Sequence, residues 1–274
     1  MTAAPGGKLL SVRGLTAAFG RAGGGTPVVR GISFDVAPGE AIGFVGESGC
    51  GKSVTARAIM RLAPEGSSLV LGGSILHGGQ DLLRLDEAAM RAIRGRRIAM
   101  VFQDPMSSLN PVMTVGAQID DMLRRHAGLG ARAARRRTIE LLGLVGIRDP
   151  ATRADDHPHQ FSGGMRQRVM IAMAVSCQPD LLIADEPTTA LDVTVQAQIL
   201  RLLARLRREL GMALMLITHD FGVIAGMVER VHVMHAGEIV EHGDVDAIFA
   251  TPSHPCTRAL LAAVPRLDGA GRVA

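Results

Sequence analysis

The sequence predicts an α/β protein with a mostly parallel sheet, an antiparallel β segment at its amino-terminal end and an inserted helical segment, and three observations carry this expectation. From Leu181 onward, short apolar runs alternate with helix-length stretches, the arrangement of strand–helix–strand units that build a parallel sheet. Earlier in the chain, an apolar run leads directly into G-x-x-x-x-G-K-S and then into a helical stretch. Between these two regions lies a long stretch with helical spacing, broken only by glycines.

Taken in order, Leu9 to Phe19 and Val28 to Val36 alternate as strands do, with a glycine-rich turn at Gly23 to Gly25 between them. Pro38-Gly39 marks a turn, and the wholly apolar run Ala41 to Val45 suits a buried strand. Lys52 to Leu62 has helical spacing and stops ahead of Pro64 and Gly66. Ile98 to Phe102 is another apolar run. Helical stretches follow at Val115 to His126 and Arg132 to Val145, broken by Gly128 and Gly130. Met165 to Cys177 is helical again. The strands Leu181 to Ala184, Ala213 to Thr218 and Val231 to His235 then alternate with helices at Val193 to Leu210 and Phe221 to Met227.

Composition narrows the function. The chain has 274 residues, enough for one large domain with an inserted subdomain, and 47% hydrophobic residues, enough for a buried core. No apolar run is long enough to span a bilayer, and Met1 to Gly7 lacks the apolar stretch of a signal peptide, so a cytoplasmic protein is expected. Cys50, Cys177 and Cys256 are far apart and lack metal-ligand spacing, which argues against a disulfide framework or zinc site. The net charge is a modest +4, and at 3% aromatic residues there is no stacking platform, so no nucleic-acid partner is expected. The pair His157 and His159 and the group His232, His235 and His242 lack further suitably spaced ligands and read as structural.

The candidate chemistry starts at Gly46, Glu47, Ser48, Gly49, Cys50, Gly51, Lys52 and Ser53. Glycines there let the backbone curl so that successive N–H groups face phosphate oxygens, and the following helix adds its positive end. Ser53 is placed to ligate Mg²⁺. Lys8 and Lys52 are the only lysines in a chain otherwise rich in arginine. A compact ammonium fits between β- and γ-phosphate oxygens where a planar fork would not. Leu181 to Glu186 then delivers two carboxylates at a strand end: Asp185 to anchor Mg²⁺, and Glu186 to orient and polarise a water.

Further residues carry a family resemblance. Phe161-Ser162-Gly163-Gly164-Met165-Arg166-Gln167-Arg168 resembles the signature of ABC-type ATPases, with Met165 where many members have Gln. Gln103 in Val101 to Pro105 looks like the family's Q-loop glutamine, Ala190-Leu191-Asp192 like its D-loop, and His219 in Ile217 to Asp220 like its switch histidine. The closer resemblance is to the peptide/nickel import branch, through Phe102 to Pro111, Phe161 to Met173, Ile183 to Gln198 and the tail Pro252 to Leu261. It implies a P-loop NTPase (RecA-like) core at 1–250, with a helical subdomain inserted at about 104–165, and a tail of importer type at 251–274.

The resemblance also implies function. It makes the chain an ATPase that uses ATP and Mg²⁺, with Glu186, His219 and Gln103 catalytic, and Ser53, Gln103 and Asp185 around the metal. Phe19 falls where the family stacks an aromatic on adenine; Ser162, Gly163, Gly164 and Asp192 fall where it contacts nucleotide across a dimer. Such subunits sit peripherally on the cytoplasmic face of the inner membrane. They work with two permease subunits, a second, paralogous ATPase and an external solute-binding protein, and import di- or oligopeptides or nickel. Many also continue into a Cys-rich iron–sulfur segment; none precedes Ala274, so no such centre is expected. The alternatives are a non-transport ABC ATPase, for which long coiled-coil insertions or a second ATPase domain would be needed, and a regulatory ATP-binding module, against which Glu186 and His219 argue.

Overall fold

Alternation of buried and exposed side chains makes the first two ten-residue runs, Leu10–Phe19 and Pro27–Val36, strands β1 and β2. In this computed structural model the described residues are 7–20, 27–63, 66–189 and 191–263. The turn at Gly23 to Gly25, Pro64, Ala190 and the end of the tail from Val264 lie outside them. Strand β3 (Ala41–Gly46) is buried throughout and leads to α1 (Lys52–Met60). After it come β4 (Leu69–His77), β5 (Gln80–Asp81), α2 (Glu87–Ile93) and β6 (Ile98–Val101). The helical middle holds α3 (Pro105–Ser108), α4 (Val115–His126), α5 (Ala131–Leu144), α6 (Pro150–Arg153) and α7 (Gly163–Val175). The rest is β7 (Leu181–Asp185), α8 (Val193–Leu210), β8 (Ala213–Thr218), α9 (Phe221–Ile224), β9 (Arg230–His235), β10 (Glu238–Asp244), α10 (Val245–Ala250) and α11 (Pro255–Ala262).

Residues 1–83 with 215–274 form one compact unit, and residues 84–214 a second. In the first, β1 pairs antiparallel with both β2 and β4, giving the order β2-β1-β4-β5. Its other strands pair as a parallel β3–β9 couple and an antiparallel β9–β10 hairpin. His232 of β9 is buried and stacks on Phe44, with centroids 4.8 Å apart, and on His242 at 5.9 Å. Burial foremost, then the nearby Arg230 and His242, pushes its pKa down to about 4, so it serves as a neutral ring in the core.

Beyond β10 the chain returns to it. Ser253 donates through its N–H and its hydroxyl to Glu241 Oε1, each at 2.7 Å, and the His254 N–H donates to Oε2 at 3.0 Å. The buried Thr257 hydroxyl of α11 donates to the same Oε2. Burial by itself would raise the Glu241 carboxyl; the donors from Thr257, Ser253 and His254 outweigh it and hold the group at about 2.

In the second unit β6 and β7 pair in parallel, with Ile98 opposite Leu181 and Val101 opposite Ala184. Helix α7 packs on α4, α5, α8 and β6. Helix α8 buries Ile199, Leu202, Leu203 and Leu206, one stripe at helical spacing. Among the described residues no helix is long and apolar enough to cross a membrane.

The structure corrects some expected elements. The helix expected from Phe221 to Met227 ends at Ile224, because Ala225 leaves helical geometry and Gly226 turns to φ +73°. Helix α1 ends two residues early, with Arg61 in the left-handed region at φ +49°. Strands β4 and β5 and helices α2, α10 and α11 form in stretches whose patterns had not marked them.

Candidate nucleotide-binding and catalytic site

In the first unit, the turn from β3 to α1 bends around residues 46–53, with Glu47, Ser48 and Gly49 exposed and Lys52 buried. The rear of this loop is packed against the β9–β10 hairpin. A Cβ on Gly46 would meet the Met234 carbonyl oxygen at 2.2 Å, so no larger residue fits there. The Gly237 N–H donates to the Cys50 carbonyl at 3.0 Å and anchors the loop from behind. Lys52 Nζ donates to the carbonyls of Gly46 at 2.7 Å and Glu47 at 2.8 Å, folding the ammonium over the loop it serves. Burial raises the Cys50 thiol above its ordinary range, against the opposing pull of the Lys52 charge, so it stays a protonated apolar filler. His219 follows β8 and is exposed, while Phe19 ends β1 with 37% of its surface exposed.

In the second unit, β7 carries Asp185, which is only 3% exposed, and hands on to Glu186. Glu186 adopts φ +46°, a left-handed conformation that costs a non-glycine residue about 1–3 kcal/mol. Its carboxylate is held: Gln103 Nε2 donates to Oε2 at 2.8 Å, and Thr189 Oγ1 donates to the same oxygen at 2.9 Å. The Thr189 N–H also closes a turn onto the Glu186 carbonyl at 3.2 Å. The segment after β6 thus meets the acidic end of β7, its parallel neighbour.

Ser162 caps α7, its hydroxyl accepting from the Met165 N–H at 3.4 Å, and Ser162 and Gly163 are exposed. A Cβ on Gly164 would meet Val195 Cγ1 at 2.6 Å, so glycine lets α7 approach the first turn of α8. Asp192 caps that α8 turn, accepting from the Val195 N–H at 2.9 Å. The start of this thirteen-residue helix, where Ser162 and Gly163 are exposed, suits an anion.

A family model described as "ABC transporter" matches residues 29–189, which include residues 46–53, Gln103, Ser162 to Gly164, Asp185 and Glu186. The chain belongs to the ABC transporter family. This ABC transporter chain is an ATP-binding, ATP-hydrolysing subunit. It is 54% identical to the dipeptide transport ATP-binding protein DppD of Bacillus subtilis (strain 168), over 95% of this chain and 78% of that one. It is 52% identical to the oligopeptide transport ATP-binding protein OppD of the same organism, over 96% of this chain and 74% of that one. Among solved structures it resembles the ATP-binding cassette MJ0796 in a dimeric post-hydrolysis state bound to ADP and Pi, with a TM-score of 0.74 and 26% identity, covering 86% of this chain and 98% of that one.

For this ABC transporter ATPase, sequence reasoning picked out both halves of the Gln103–Glu186 contact without foreseeing the contact itself. It missed Thr189, although spacing held a signal: a proline after Glu186 makes a turn, and position i+3 of a turn folds back over position i. It also missed Glu241, one of three acids in β10, whose role becomes visible only once the tail has returned to it.

Proposed function

We propose that this ABC transporter ATPase powers import of di- or oligopeptides through membrane permease subunits. The observation that carries this reading is the 54% identity over 95% of the chain to a protein named for dipeptide transport. The tail Pro252 to Leu261, of the same importer type, supports it. In this reading, 1–250 is the nucleotide-binding domain with a helical subdomain at about 104–165, and 251–274 is its tail. It works at the inner face of the membrane beside two permease subunits, a second, paralogous ATPase and an external solute-binding protein.

Residue roles follow from the chemistry available. The loop from Gly46 to Ser53 binds the phosphates, and Lys52 exchanges its carbonyl contacts for phosphate oxygens. Ser53, Gln103 and Asp185 offer hydroxyl, amide and carboxylate oxygens, hard donors that suit Mg²⁺ and would hold it. When bound, the ion would neutralise developing charge on the phosphates. Glu186 orients a water and takes its proton as the water oxygen bonds to the γ-phosphorus and the bond to the bridging oxygen breaks. His219 holds a γ-phosphate oxygen, and Phe19 offers a face to adenine. Ser162 to Gly164, with Asp192 beside them, bind the nucleotide carried by a second ATPase subunit.

Deleting the gene and following uptake of a labelled dipeptide, a labelled tetrapeptide and nickel tests the cargo. Loss of peptide uptake, restored by the wild-type gene, is expected. Intact peptide uptake with lost nickel uptake would replace the peptide reading with nickel.

A further inference from the structure

We infer that Thr189 is a positioning residue for ATP hydrolysis: its hydroxyl fixes the carboxylate of Glu186 in the plane from which that carboxylate meets the attacking water. The inference rests on reading Glu186 as the general base. Glu186 follows β7 in a left-handed backbone conformation, at φ +46°. A carboxylate on a flexible side chain in that position would sample many rotations about its last bond. Two donors on one oxygen, Oε2, remove that freedom, and they differ in kind.

Thr189 is three residues away in the same turn, and its own N–H closes that turn onto the Glu186 carbonyl. Its hydroxyl moves with Glu186 and is a permanent partner. Gln103 comes from the segment after β6 and stands 83 positions away in sequence. Its contact depends on the placement of that distant segment, whereas the Thr189 contact does not. Wherever Gln103 stands, the Thr189 hydroxyl still holds Oε2, and with it the direction of the other oxygen. A general base must lie within hydrogen-bond reach of its proton, and small displacements are costly.

The test uses the full-length chain with ATP and Mg²⁺ and compares Thr189→Val, Thr189→Ser and Glu186→Gln. Valine keeps the shape and the backbone turn and removes only the donor. Thr189→Val is expected to lower kcat about 10-fold or more while KM for ATP, ATP affinity and the midpoint of thermal unfolding stay at wild-type values; Thr189→Ser is expected to recover most of kcat. Wild-type kcat in Thr189→Val, or a loss that tracks a lowered unfolding midpoint and is not recovered by serine, would overturn the inference. Glu186→Gln separates the two levels: if it hydrolyses ATP at the wild-type rate, the general-base reading itself fails, whereas an inactive Glu186→Gln beside a fully active Thr189→Val sinks only the role of Thr189.

Discussion

Lys52 illustrates how one side chain can be read from both composition and contacts. Its ammonium spans the carbonyls of Gly46 and Glu47, two acceptors a compact point charge reaches from a buried stem. A guanidinium is wider, planar and fixed in its fork, so it can satisfy those carbonyls or the phosphates only by moving the loop. That loop is not free to move, because Gly46 already abuts Met234 and Cys50 is tied to Gly237. Lys52→Arg is therefore expected to weaken ATP binding about as severely as Lys52→Ala, despite keeping the charge. Titrating a fluorescent ATP analogue into both variants checks this, and near wild-type affinity in the arginine variant would show that charge alone suffices. Glu186 presents the opposite case in its backbone: a residue at φ +46° gives up stability, and Gln103 and Thr189 hold its carboxylate there.

At the scale of elements, α11 is short and amphipathic, and it is held to β10 by one carboxylate. Glu241 is a buried residue that accepts four hydrogen bonds from Ser253, His254 and Thr257. Charge-assisted bonds to a buried acceptor are individually worth more than neutral ones. Replacing Glu241 by Gln removes the charge and places N–H donors opposite donors, so a loss of about 1–3 kcal/mol is expected. Amide exchange across residues 253–262 should become fast in Glu241→Gln while β9 and β10 keep their protection. The wild-type protein should show the same release with acid. A folded-state pKa of about 2 against an ordinary 4.5 means the stabilisation is complete above 4.5 and is lost as pH falls from there toward 2. Release already present near neutral pH would show that something other than the ionised carboxylate holds α11.

At the scale of the whole molecule, the expectation concerns assembly. In the proposed mechanism the loop at residues 46–53 covers one side of a nucleotide, and the start of α7, where Ser162 and Gly163 are exposed, meets the γ-phosphate of a nucleotide bound to a second subunit. Turnover should then depend on association. The isolated chain is expected to hydrolyse ATP weakly, with specific activity rising with concentration, and to reach full rate only with a paralogous ATPase and a permease. Turnover measured over a range of concentrations, alone and with those partners, checks this. A lone chain that forms a stable homodimer at the full complex's rate would rule out the heterodimer and leave a homodimeric importer.

The sequence alone determined several features that depend on local chemistry. The G-x-x-x-x-G-K-S turn, the acids ending β7 and the helical stripe of α8 are each written within one short window, because a turn, a strand end or an amphipathic face is specified by neighbours a few residues apart. Tertiary structure alone decided what lies on the far side of those groups. Gly46 must be glycine because of a carbonyl in β9, Glu186 is held by a glutamine 83 positions away, and Glu241 matters because the chain returns to it at Ser253. Strands β4 and β5 belong with these: Gly72 and Gly73 interrupt the apolar pattern of β4, and β5 is two residues long, so it is pairing with β1 and with each other that makes them strands. Their partners are set by chain reversal over long distances, and no local spacing records where a chain will come back to itself.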